Sequence, residues 1–541
     1  MSASITCTSL SFAWSDGTPV FDDLQIAFGP GRSGLVGVNG SGKSTLLKLI
    51  AGEFAPADGT VRVAGEVGYL PQNVTLDTGL RVDEALGIAA VRAALHAIEA
   101  GDVAEKHFAT VGDDWDVEER ALATLGELGL GHIDLDRTIG EVSGGESVLL
   151  RLAALLLRRP DVLLLDEPTN NLDVYARRRL YDAVASWSGV MVVVSHDREL
   201  LELVDQIADL HSGEVTWYGG NYSNYEEALA TEQDAAERMM RVAEADLKKQ
   251  KRELVETHSK LAKRTRYANK MYENKREPRA VMKLKKRSAQ VSAGKHRLLH
   301  EERLADAKER LDEAVEAVRD DDEIRVDLPY TAVPPGRTVL TLLDLELRYG
   351  ARVRGGLDLR GPERIALIGR NGAGKTTLLR TIAGELEPVA GETTAHVPLR
   401  FLPQRLDVLD DGRTVVENVA RFAPGATNNR IRARLARFLF KGARADQPAA
   451  TLSGGERFRA ALAALMLAEP APQLLMLDEP TNNLDMASVQ QLTTALESYE
   501  GALIVASHDL PFLESIGITR WLLMEEGELK EITPEAVGYP A

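Results

Sequence analysis

The chain has almost no cysteine and no long hydrophobic run. Cys7 is the only cysteine among 541 residues, so no internal disulfide can form, as expected in a reducing cytosol. The longest apolar runs, such as Val162–Leu165 and Val190–Val194, have the length of buried strands. They fall far short of the roughly 20 residues that a membrane helix needs. No basic start followed by an apolar stretch opens the sequence, so no signal peptide is predicted. These absences predict a cytoplasmic protein without a membrane domain.

Acidic residues outnumber basic ones in the chain, except in one segment. The whole chain carries a net charge of −18, which alone argues against a nucleic-acid partner. Residues 248–297, however, contain 18 Lys and Arg against 4 Asp and Glu, a net of +14. A basic segment on an acidic body predicts a localised contact with a polyanion.

The chain contains one set of sequence motifs that occurs twice. The segment Gly37–Ser44 recurs as Gly369–Thr376, and in both copies the loop lysine precedes a glutamine by 29 residues. In both copies an aspartate precedes a histidine by 30 residues. Equal spacing of several motifs indicates a duplicated domain. The paired residues are Lys43 and Lys375, Gln72 and Gln404, Asp166 and Asp478, and His196 and His508.

Strand-like segments alternate with helical ones in each copy, which predicts an α/β fold with a parallel sheet covered on both faces. The first domain is predicted over residues 1–221 and the second over 337–530. The first copy has 22 extra residues between its glutamine and its Ser-Gly-Gly motif, near 90–133, in a helical and acidic stretch. This insertion is interpreted either as a solvated helical hairpin or as an arm that docks on a partner.

The connector, residues 222–326, has a heptad pattern. Two series of apolar residues step by seven, separated by a basic stretch that contains Pro278 and Gly294. This pattern predicts an antiparallel coiled-coil hairpin with its tip near 263–297. The series are Met240, Leu247, Leu254 and Leu261, then Leu304, Leu311 and Val318, with Val315 between the last two.

Each Gly-rich loop is predicted to wrap the phosphates of ATP. Glycine permits the backbone angles that aim N–H groups at phosphate, and the following helix directs its positive end at the same charge. The lysine places an ammonium on the β and γ phosphates. The candidate ATP-binding residues of the two loops are Gly37, Asn39, Gly40, Gly42, Lys43, Ser44 and Thr45, and Gly369, Asn371, Gly372, Gly374, Lys375, Thr376 and Thr377.

Two acids at the end of an apolar strand complete the predicted chemistry in each copy. Aspartate can hold Mg²⁺ through water, and the glutamate after it can orient and deprotonate the attacking water. The histidine that ends the next strand can contact the γ-phosphate or the water. The candidate Mg²⁺ residues are Ser44, Gln72, Asp166, Thr376, Gln404 and Asp478, and the candidate catalytic residues are Glu167, Glu479, His196 and His508.

A Ser-Gly-Gly-Glu motif before a helix supplies a hydroxyl and free amides but no phosphate loop of its own. It is therefore expected to act on the nucleotide of the other copy, with two ATP molecules sandwiched between the copies of one monomeric chain. The residues are Ser143, Gly144, Gly145 and Glu146, which would close on the second loop, and Ser453, Gly454, Gly455 and Glu456, which would close on the first. Trp14 and Tyr349 lie upstream of the loops, where an aromatic ring can stack on adenine.

Together these motifs resemble those of the ATP-binding cassette superfamily: Walker A, Q-loop, signature, Walker B, D-loop and switch histidine. The D-loops are Asn170–Asp173 and Asn482–Asp485. The chain resembles the ABC-F branch, whose members have two cassettes in one chain, a charged helical linker and no membrane domain. The resemblance implies two P-loop cassettes, each with a parallel-sheet core and a helical subdomain, and hydrolysis of ATP with Mg²⁺ as cofactor.

The resemblance further implies a protein that binds the ribosomal E site when its cassettes are closed on ATP, with the linker directed at P-site tRNA and the peptidyl-transferase centre. Hydrolysis would release it. The role would be translation regulation or antibiotic resistance by ribosome protection. The candidate contacts to rRNA and tRNA are Lys263, Arg264, Arg266, Tyr267, Lys270, Lys275, Arg276, Arg279, Lys283, Lys285, Lys286 and Arg287.

Two other functions stay open at this point, and the copies are not identical. An energy-coupling subunit of a membrane transporter would share the cassettes but has no use for a basic linker. A DNA-associated ATPase could hold a duplex with the basic hairpin. The first signature has Val142 and Ser147 where the second has Leu452 and Arg457. We therefore expect unequal sites, with weaker closure at the second.

Overall fold

The computed structural model describes residues 3–72, 78–211, 213–273, 298–300, 302–315, 328, 330–349, 352–482, 484–525 and 527–536. The chain divides into two compact units, one formed by residues 1–222 with 322–541 and the other by residues 223–321. The first unit contains both cassettes. Among the described residues, no helix is long and apolar enough to cross a membrane.

The first cassette begins with antiparallel strands and continues as an alternating α/β domain. Its strands are β1 Ser4–Ala13, β2 Pro19–Phe28, β3 Gly31–Val36, β4 Asp58–Ala64, β5 Val67–Leu70, β6 Val162–Asp166, β7 Val190–Val194, β8 Gln206–His211 and β9 Glu214–Gly219. Its helices are Lys43–Ile50, Val82–Ala85, Ala89–Glu99, Glu105–Val111, Val117–Glu127, Gly144–Leu157, Val174–Ala185 and Arg198–Leu201. A 3₁₀ turn, Ile139–Glu141, precedes the first signature.

The second cassette repeats this order of elements. Its strands are β10 Thr338–Glu346, β11 Arg352–Arg360, β12 Arg364–Ile368, β13 Ala390–Ala395, β14 Leu399–Leu402, β15 Leu474–Asp478, β16 Ala502–Ala506, β17 Arg520–Glu525 and β18 Glu528–Ile532. Its helices are Lys375–Ile382, Val415–Phe422, Asn428–Leu435, Gly454–Met466, Met486–Glu497 and Leu510–Ser515. Short 3₁₀ turns occupy Ala436–Phe438, Gly442–Asp446, Ala449–Thr451 and Pro534–Ala536.

Both cassettes have the same sheet topology at their centre. The first has the strand order β5-β6-β7-β3-β8-β9, and the second contains the equivalent run β14-β15-β16-β12-β17-β18. All neighbours are parallel except the last pair in each run. The sheets differ at one edge, because β11 pairs with β18 and joins the antiparallel strands to the second sheet, whereas β2-β1-β4 remains separate in the first cassette.

The central strands are buried on both faces, as continuous apolar runs of a parallel sheet require. Every residue of Val162–Asp166 and of Val190–Val194 is buried, which confirms both predicted strands. β3 lies between β7 and β8, so the carboxyl ends of β3, β6 and β7 share one edge of the sheet. Ligands of such sheets bind at this edge, where the strand order reverses.

The insertion near 90–133 consists of the helices Ala89–Glu99, Glu105–Val111 and Val117–Glu127. It is packed onto its cassette, since Ala121 and Leu125 are fully buried. Arg92 is also buried, and its guanidinium bonds Asp83, Glu118 and Asp136 at 2.7–3.1 Å. The part of the insertion around Arg92 is therefore not a purely solvated hairpin.

The second unit contains the long helix Tyr222–Glu273, which continues ten residues beyond the predicted start of the tip at Lys263. Residues 302–315 are helical as well. Thr257 lies 3.4 Å from His300, and Asp246 lies 3.5 Å from Arg310, so the two segments run antiparallel. Positions 300, 304, 307, 311 and 314 are the less exposed ones of the second segment, a heptad seam, whereas Val315 is half-exposed. Leu261 and Val318 lie outside the described side chains.

Candidate functional site

The two Gly-rich loops join β3 and β12 to the helices Lys43–Ile50 and Lys375–Ile382. The Lys43 ammonium donates to the carbonyls of Gly37 at 2.7 Å and Val38 at 3.1 Å. The Lys375 ammonium donates to the carbonyls of Gly369 at 2.6 Å and Arg370 at 3.3 Å. Burial lowers the pKa of both lysines. Each loop is therefore folded around its own cation, which places positive charge at its centre.

Glycine is required at the first position of each loop. A Cβ on Gly37 would lie 2.4 Å from the Leu210 carbonyl oxygen, and one on Gly369 would lie 2.3 Å from the Met524 carbonyl oxygen. Both glycines also have positive φ, 148° and 154°. Each loop thus approaches the neighbouring strand closely enough to exclude any side chain.

The acid pair of the first cassette lies beside its loop. The Ser44 hydroxyl donates to Asp166 at 3.0 Å, and the Tyr69 hydroxyl lies 3.4 Å from the same carboxylate. Glu167 has a left-handed backbone, φ 48°, and its N–H donates to the Val194 carbonyl at 2.8 Å. This bond fixes the glutamate at the strand end.

Burial controls the protonation of the glutamate after β6 and of the histidine that follows β7. It raises the pKa of Glu167 to about 8 and lowers that of His196 to about 3. Nε2 of His196 and Oε1 of Glu167 are 3.2 Å apart, without the geometry of a hydrogen bond. Because the imidazole is neutral, this contact is not an ion pair.

The second cassette repeats the arrangement with one added contact. Burial raises the pKa of Glu479 to about 7 and holds that of His508 well below its usual range. His508 Nε2 lies 3.2 Å from Glu479 and 3.0 Å from the Lys375 ammonium. In the described part of the chain, both buried oxygens of Asp478 lack a hydrogen bond of normal geometry, although the Thr376 hydroxyl lies near enough to lower its pKa against the effect of burial. A divalent cation would satisfy this orphaned carboxylate.

Each loop opens into a cavity. The first is about 290 Å³, and its described lining comes from the first cassette alone, so Ser453, Gly454, Gly455 and Glu456 are not part of it. The candidate residues in that lining are Trp14, Asn39, Gly40, Gly42, Lys43, Ser44, Thr45, Gln72, Glu167 and His196.

The second cavity, about 520 Å³, is lined by both cassettes. Gly144 and Gly145 of the first signature line this cavity together with the second loop. The second cassette supplies Tyr349, Asn371, Gly372, Gly374, Lys375, Thr376, Thr377, Gln404, Asp478, Glu479 and His508.

Each signature begins its helix with a capping box. The Ser143 N–H donates to Glu146 at 2.8 Å while the Glu146 N–H donates to the serine hydroxyl at 3.3 Å, and Ser453 and Glu456 repeat the pair at 3.0 and 3.3 Å. The serine and glutamate therefore fix the N-terminus of the helix, and the glycine amides between them remain directed outward.

The signatures differ at the next position, as the sequence indicates. Arg457 bonds Asp411 at 2.5 Å and the carbonyls of Leu406 and Ala449 at 3.3 Å, which ties the second signature helix to the chain just after Gln404. The Ser147 hydroxyl instead donates to the Ser143 carbonyl of its own helix, at 3.0 Å.

Direct hydrogen bonds join the cassettes at both loops. The Asn39 N–H donates to Asp485 at 3.0 Å, and the Asn371 N–H donates to Asp173 at 3.1 Å. The Asn371 side chain also donates to the Asn171 carbonyl at 2.6 Å. Each D-loop aspartate thus holds the phosphate loop of the other cassette.

The aromatic candidates are both at the surface. Trp14 is 43% exposed and packs edge-on against Phe12 and Phe54, with ring centroids 5.4 and 5.8 Å away. Tyr349 is 63% exposed at the second cavity. Trp14 lines the first cavity and Tyr349 the second.

Only part of the predicted RNA-contact set lies in the described region. Lys263, Arg266 and Lys270 are exposed on the long helix. The side chains of Arg264 and Tyr267 lie outside the described side chains. So do all remaining members of the set, namely Lys275, Arg276, Arg279, Lys283, Lys285, Lys286 and Arg287.

Sequence reasoning missed some residues of this region. The sequence places Asp173 and Asp485 in the D-loops without indicating a role, although their recurrence in both copies is a signal that points to one. Tyr69 beside Asp166 and Arg177 between the cassettes carry no such signal, because neither recurs in the second copy. Their positions depend on tertiary contacts.

Comparisons with known proteins agree with this geometry. The ABC transporter family model matches residues 21–170 and 356–482. Tylosin resistance ATP-binding protein TlrC of Streptomyces fradiae is 34% identical over 523 residues, which cover 91% of this chain and 92% of TlrC. ABC transporter F family member 5 of Arabidopsis thaliana is 30% identical over 534 residues, covering 92% and 72%.

A solved structure with the same fold is that of the complex of archaeal ribosomal stalk protein aP1 and archaeal ribosome recycling factor aABCE1. The matched chain has a TM-score of 0.54 at 18% identity, with 96% of this chain and 89% of that chain covered. At this identity the likeness concerns the fold.

Proposed function

The chain belongs to the ABC-F family of ATP-binding cassette ATPases, and from this premise we propose that it acts on the ribosome. The ATP-closed cassettes occupy the E site, the linker reaches toward P-site tRNA and the peptidyl-transferase centre, and hydrolysis releases the protein. The observation that carries the proposal is the basic linker: 18 Lys and Arg against 4 Asp and Glu in residues 248–297 of an otherwise acidic chain.

The geometry of the sites supports a division of roles within them. Lys43 and Lys375 hold the β and γ phosphates, because their ammoniums already lie within the loops. Glu167 and Glu479 accept a proton from the attacking water, since burial gives each a pKa closer to neutrality than an ordinary glutamate has. His196 and His508, kept neutral, contact the γ-phosphate or that water.

The donor set also suits Mg²⁺, which prefers carboxylate, hydroxyl and water oxygens. Ser44 with Asp166 and Thr376 with Asp478 would hold the ion, completed by Gln72 and Gln404, which line the two cavities. Bound Mg²⁺ neutralises charge on the phosphates during transfer.

The linker chemistry favours RNA. Each phosphate that a Lys or Arg neutralises releases condensed counterions, so binding would weaken steeply as salt increases. Lys263, Arg266 and Lys270 are exposed on the long helix and available for such contacts. A transporter subunit, the competing role, has no polyanion for this segment to meet, and a DNA-associated ATPase would show the same salt dependence with duplex DNA in place of ribosomes.

Similarity to TlrC, whose name states resistance to tylosin, supports ribosome protection as the physiological role. Translation regulation is the other role compatible with the same site. Growth in a macrolide with and without the protein separates them: a raised inhibitory concentration supports protection, and no change supports regulation.

The direct test traps the closed state. Glu167→Gln combined with Glu479→Gln, supplied with ATP, should sediment with ribosomes, because bound ATP is no longer hydrolysed. Adding Lys43→Ala and Lys375→Ala to this variant should abolish co-sedimentation. A trapped variant that binds ATP but remains in the soluble fraction would contradict the proposal.

Charge variants then locate the contact. Changing Lys283, Lys285, Lys286 and Arg287 to Gln in the trapped variant should reduce co-sedimentation and flatten its salt dependence. The matched control changes Lys248, Lys249, Lys251 and Arg252, four exposed cations nearer the start of the long helix, and should have a smaller effect. Equal losses from both sets would place the contact elsewhere on the linker.

A further inference from the structure

A buried arginine contacts both cassettes and has no role in the phosphate, Mg²⁺ or water contacts proposed above. Arg177 lies on the helix Val174–Ala185, just after the first D-loop, and its side chain is only 12% exposed. A guanidinium cannot lose its proton at physiological pH, so burial is tolerated only when its N–H groups are paired. The partners therefore define what this residue holds in place.

The partners come from three loops. Nε donates to the Leu172 carbonyl in the first D-loop at 3.3 Å. Nη1 lies 3.2 Å from the carboxylate of Asp197, which follows the switch histidine of the first cassette, and 3.5 Å from the carbonyl of His508, the switch histidine of the second. One side chain thus contacts the switch segments of both cassettes.

Asp197 is itself rigidly held. Its carboxylate, 6% exposed, accepts from the Tyr181 hydroxyl at 2.7 Å and from the Leu200 N–H at 3.0 Å. Its own N–H donates to the Ser195 hydroxyl at 3.0 Å. Because these bonds leave the carboxylate little freedom, a movement of this switch segment must pull on Arg177.

The charge of Arg177 also acts on a carboxylate of the second cassette. Burial raises the pKa of Asp509, next to His508, and the charge of Arg177 opposes that shift. Arg177 therefore pairs with Asp197 of the first cassette, and its charge also acts on Asp509 of the second. His508 Nε2 in turn lies 3.0 Å from Lys375 and 3.2 Å from Glu479.

The link exists at one site only. Four residues after each D-loop aspartate the first cassette has Arg177 and the second has Val489, and eight residues after it they have Tyr181 and Thr493. Val489 is a buried apolar side chain and cannot bond the switch segment of the first cassette. The duplicated chain has therefore kept this cation in a single copy.

We propose that Arg177 is a positioning residue for ATP hydrolysis at the second site, where it fixes His508 through its main-chain carbonyl and makes that site depend on the switch segment of the first cassette. The proposal rests on the roles proposed above for Glu479 and His508. The matching position of the second cassette is Val489, so it cannot provide the same contact at the first site.

Single-site variants of the full chain provide the test. Glu167→Gln leaves the second site active, and Glu479→Gln leaves the first. Arg177→Leu should lower kcat about tenfold in the Glu167→Gln background, with KM for ATP changed less than about twofold, because the histidine is misplaced while the phosphate loop is intact. In the Glu479→Gln background kcat should change less than about twofold.

Two further variants separate positioning from folding. Asp197→Asn keeps the shape of the side chain and loses the ion pair. In the Glu167→Gln background it should also lower kcat. Adding Arg177→Leu should lower kcat little further, since both residues act in one network. Arg178→Leu removes the same charge from an exposed position of the same helix and should leave kcat unchanged.

Two outcomes would overturn the role of Arg177. In the first, Arg177→Leu lowers kcat equally in the Glu167→Gln and Glu479→Gln backgrounds. In the second, the second site retains kcat within twofold in both Arg177→Leu and Asp197→Asn. Hydrolysis by the variant that carries both Glu167→Gln and Glu479→Gln would instead contradict the roles of the glutamates. The two failures are therefore distinguishable.

Discussion

At the scale of single residues, burial sets the chemistry of the sites. Lys43 and Lys375 are 6% and 7% exposed, and Glu167 is 9% exposed, so their charges are held in a medium that favours neutral forms. The sequence identifies these residues by motif. Their shifted pKa values follow from the strands packed around them, which no motif records.

The first position of the second loop provides a prediction at this scale. In Gly369→Ala the new Cβ would meet the Met524 carbonyl at 2.3 Å, a main-chain atom that cannot rotate away. We expect the free energy of unfolding to fall by about 1–3 kcal/mol, together with weaker ATP binding at the second site. Urea denaturation and nucleotide titration measure the two effects.

Gly29→Ala is the matched control, because a Cβ there has nothing within 4 Å and φ is ordinary. Its unfolding free energy should stay within about 0.5 kcal/mol of the parent protein. If Gly369→Ala has the same urea midpoint as this control, the close approach to Met524 does not constrain the loop.

At the scale of elements, the insertion and the linker show where sequence patterns suffice. The heptads predicted two antiparallel helices, and the contacts Thr257–His300 and Asp246–Arg310 have that direction. In the insertion, acidic composition suggested solvation. Composition could not reveal that Glu118 of this stretch, together with Asp83 and Asp136 from outside it, pairs with one buried arginine, because such pairing is nonlocal.

Arg92 supplies the prediction for this element. Its side chain is 10% exposed and shares Asp83, 3% exposed, with the more exposed Arg81. Arg92→Leu should destabilise the protein by about 3 kcal/mol, because a buried carboxylate loses a partner. Thermal or urea unfolding measures the change.

Arg120→Leu is the comparison within the same element, since Arg120 pairs with Asp114 at the surface, where the two side chains are 30% and 53% exposed. Its effect should be about 0–1 kcal/mol. Similar effects from both variants would show that the Arg92 network contributes no more than a surface ion pair.

At the scale of the whole molecule, the two cassettes are joined by hydrogen bonds at both phosphate loops. D-loop aspartates Asp173 and Asp485 each bond the opposite phosphate loop, so each phosphate loop is held by residues of both cassettes. Binding that favours the native state stabilises it by RT ln(1 + [L]/Kd), about 2.7 kcal/mol when the ligand is at 100 times Kd.

We therefore expect ATP with Mg²⁺ to raise the melting temperature of the Glu167→Gln, Glu479→Gln protein by several degrees, as seen in a thermal-shift measurement. Adding Lys375→Ala should remove part of the rise, and adding Lys43→Ala as well should remove the rest. A full rise without both lysines would mean that ATP binds away from the loops.

The duplication, the central strands, the phosphate loops with their acids and histidines, and the heptads of the linker could all be predicted from the sequence. Each of these depends on local spacing or on composition, which one chain displays directly. Tertiary structure alone decided that the second cavity is lined by both cassettes while the described lining of the first is not, that the insertion is anchored through Arg92, and that Arg177 joins the two switch segments. These features depend on which distant residues are buried together, and burial is a property of the packed chain.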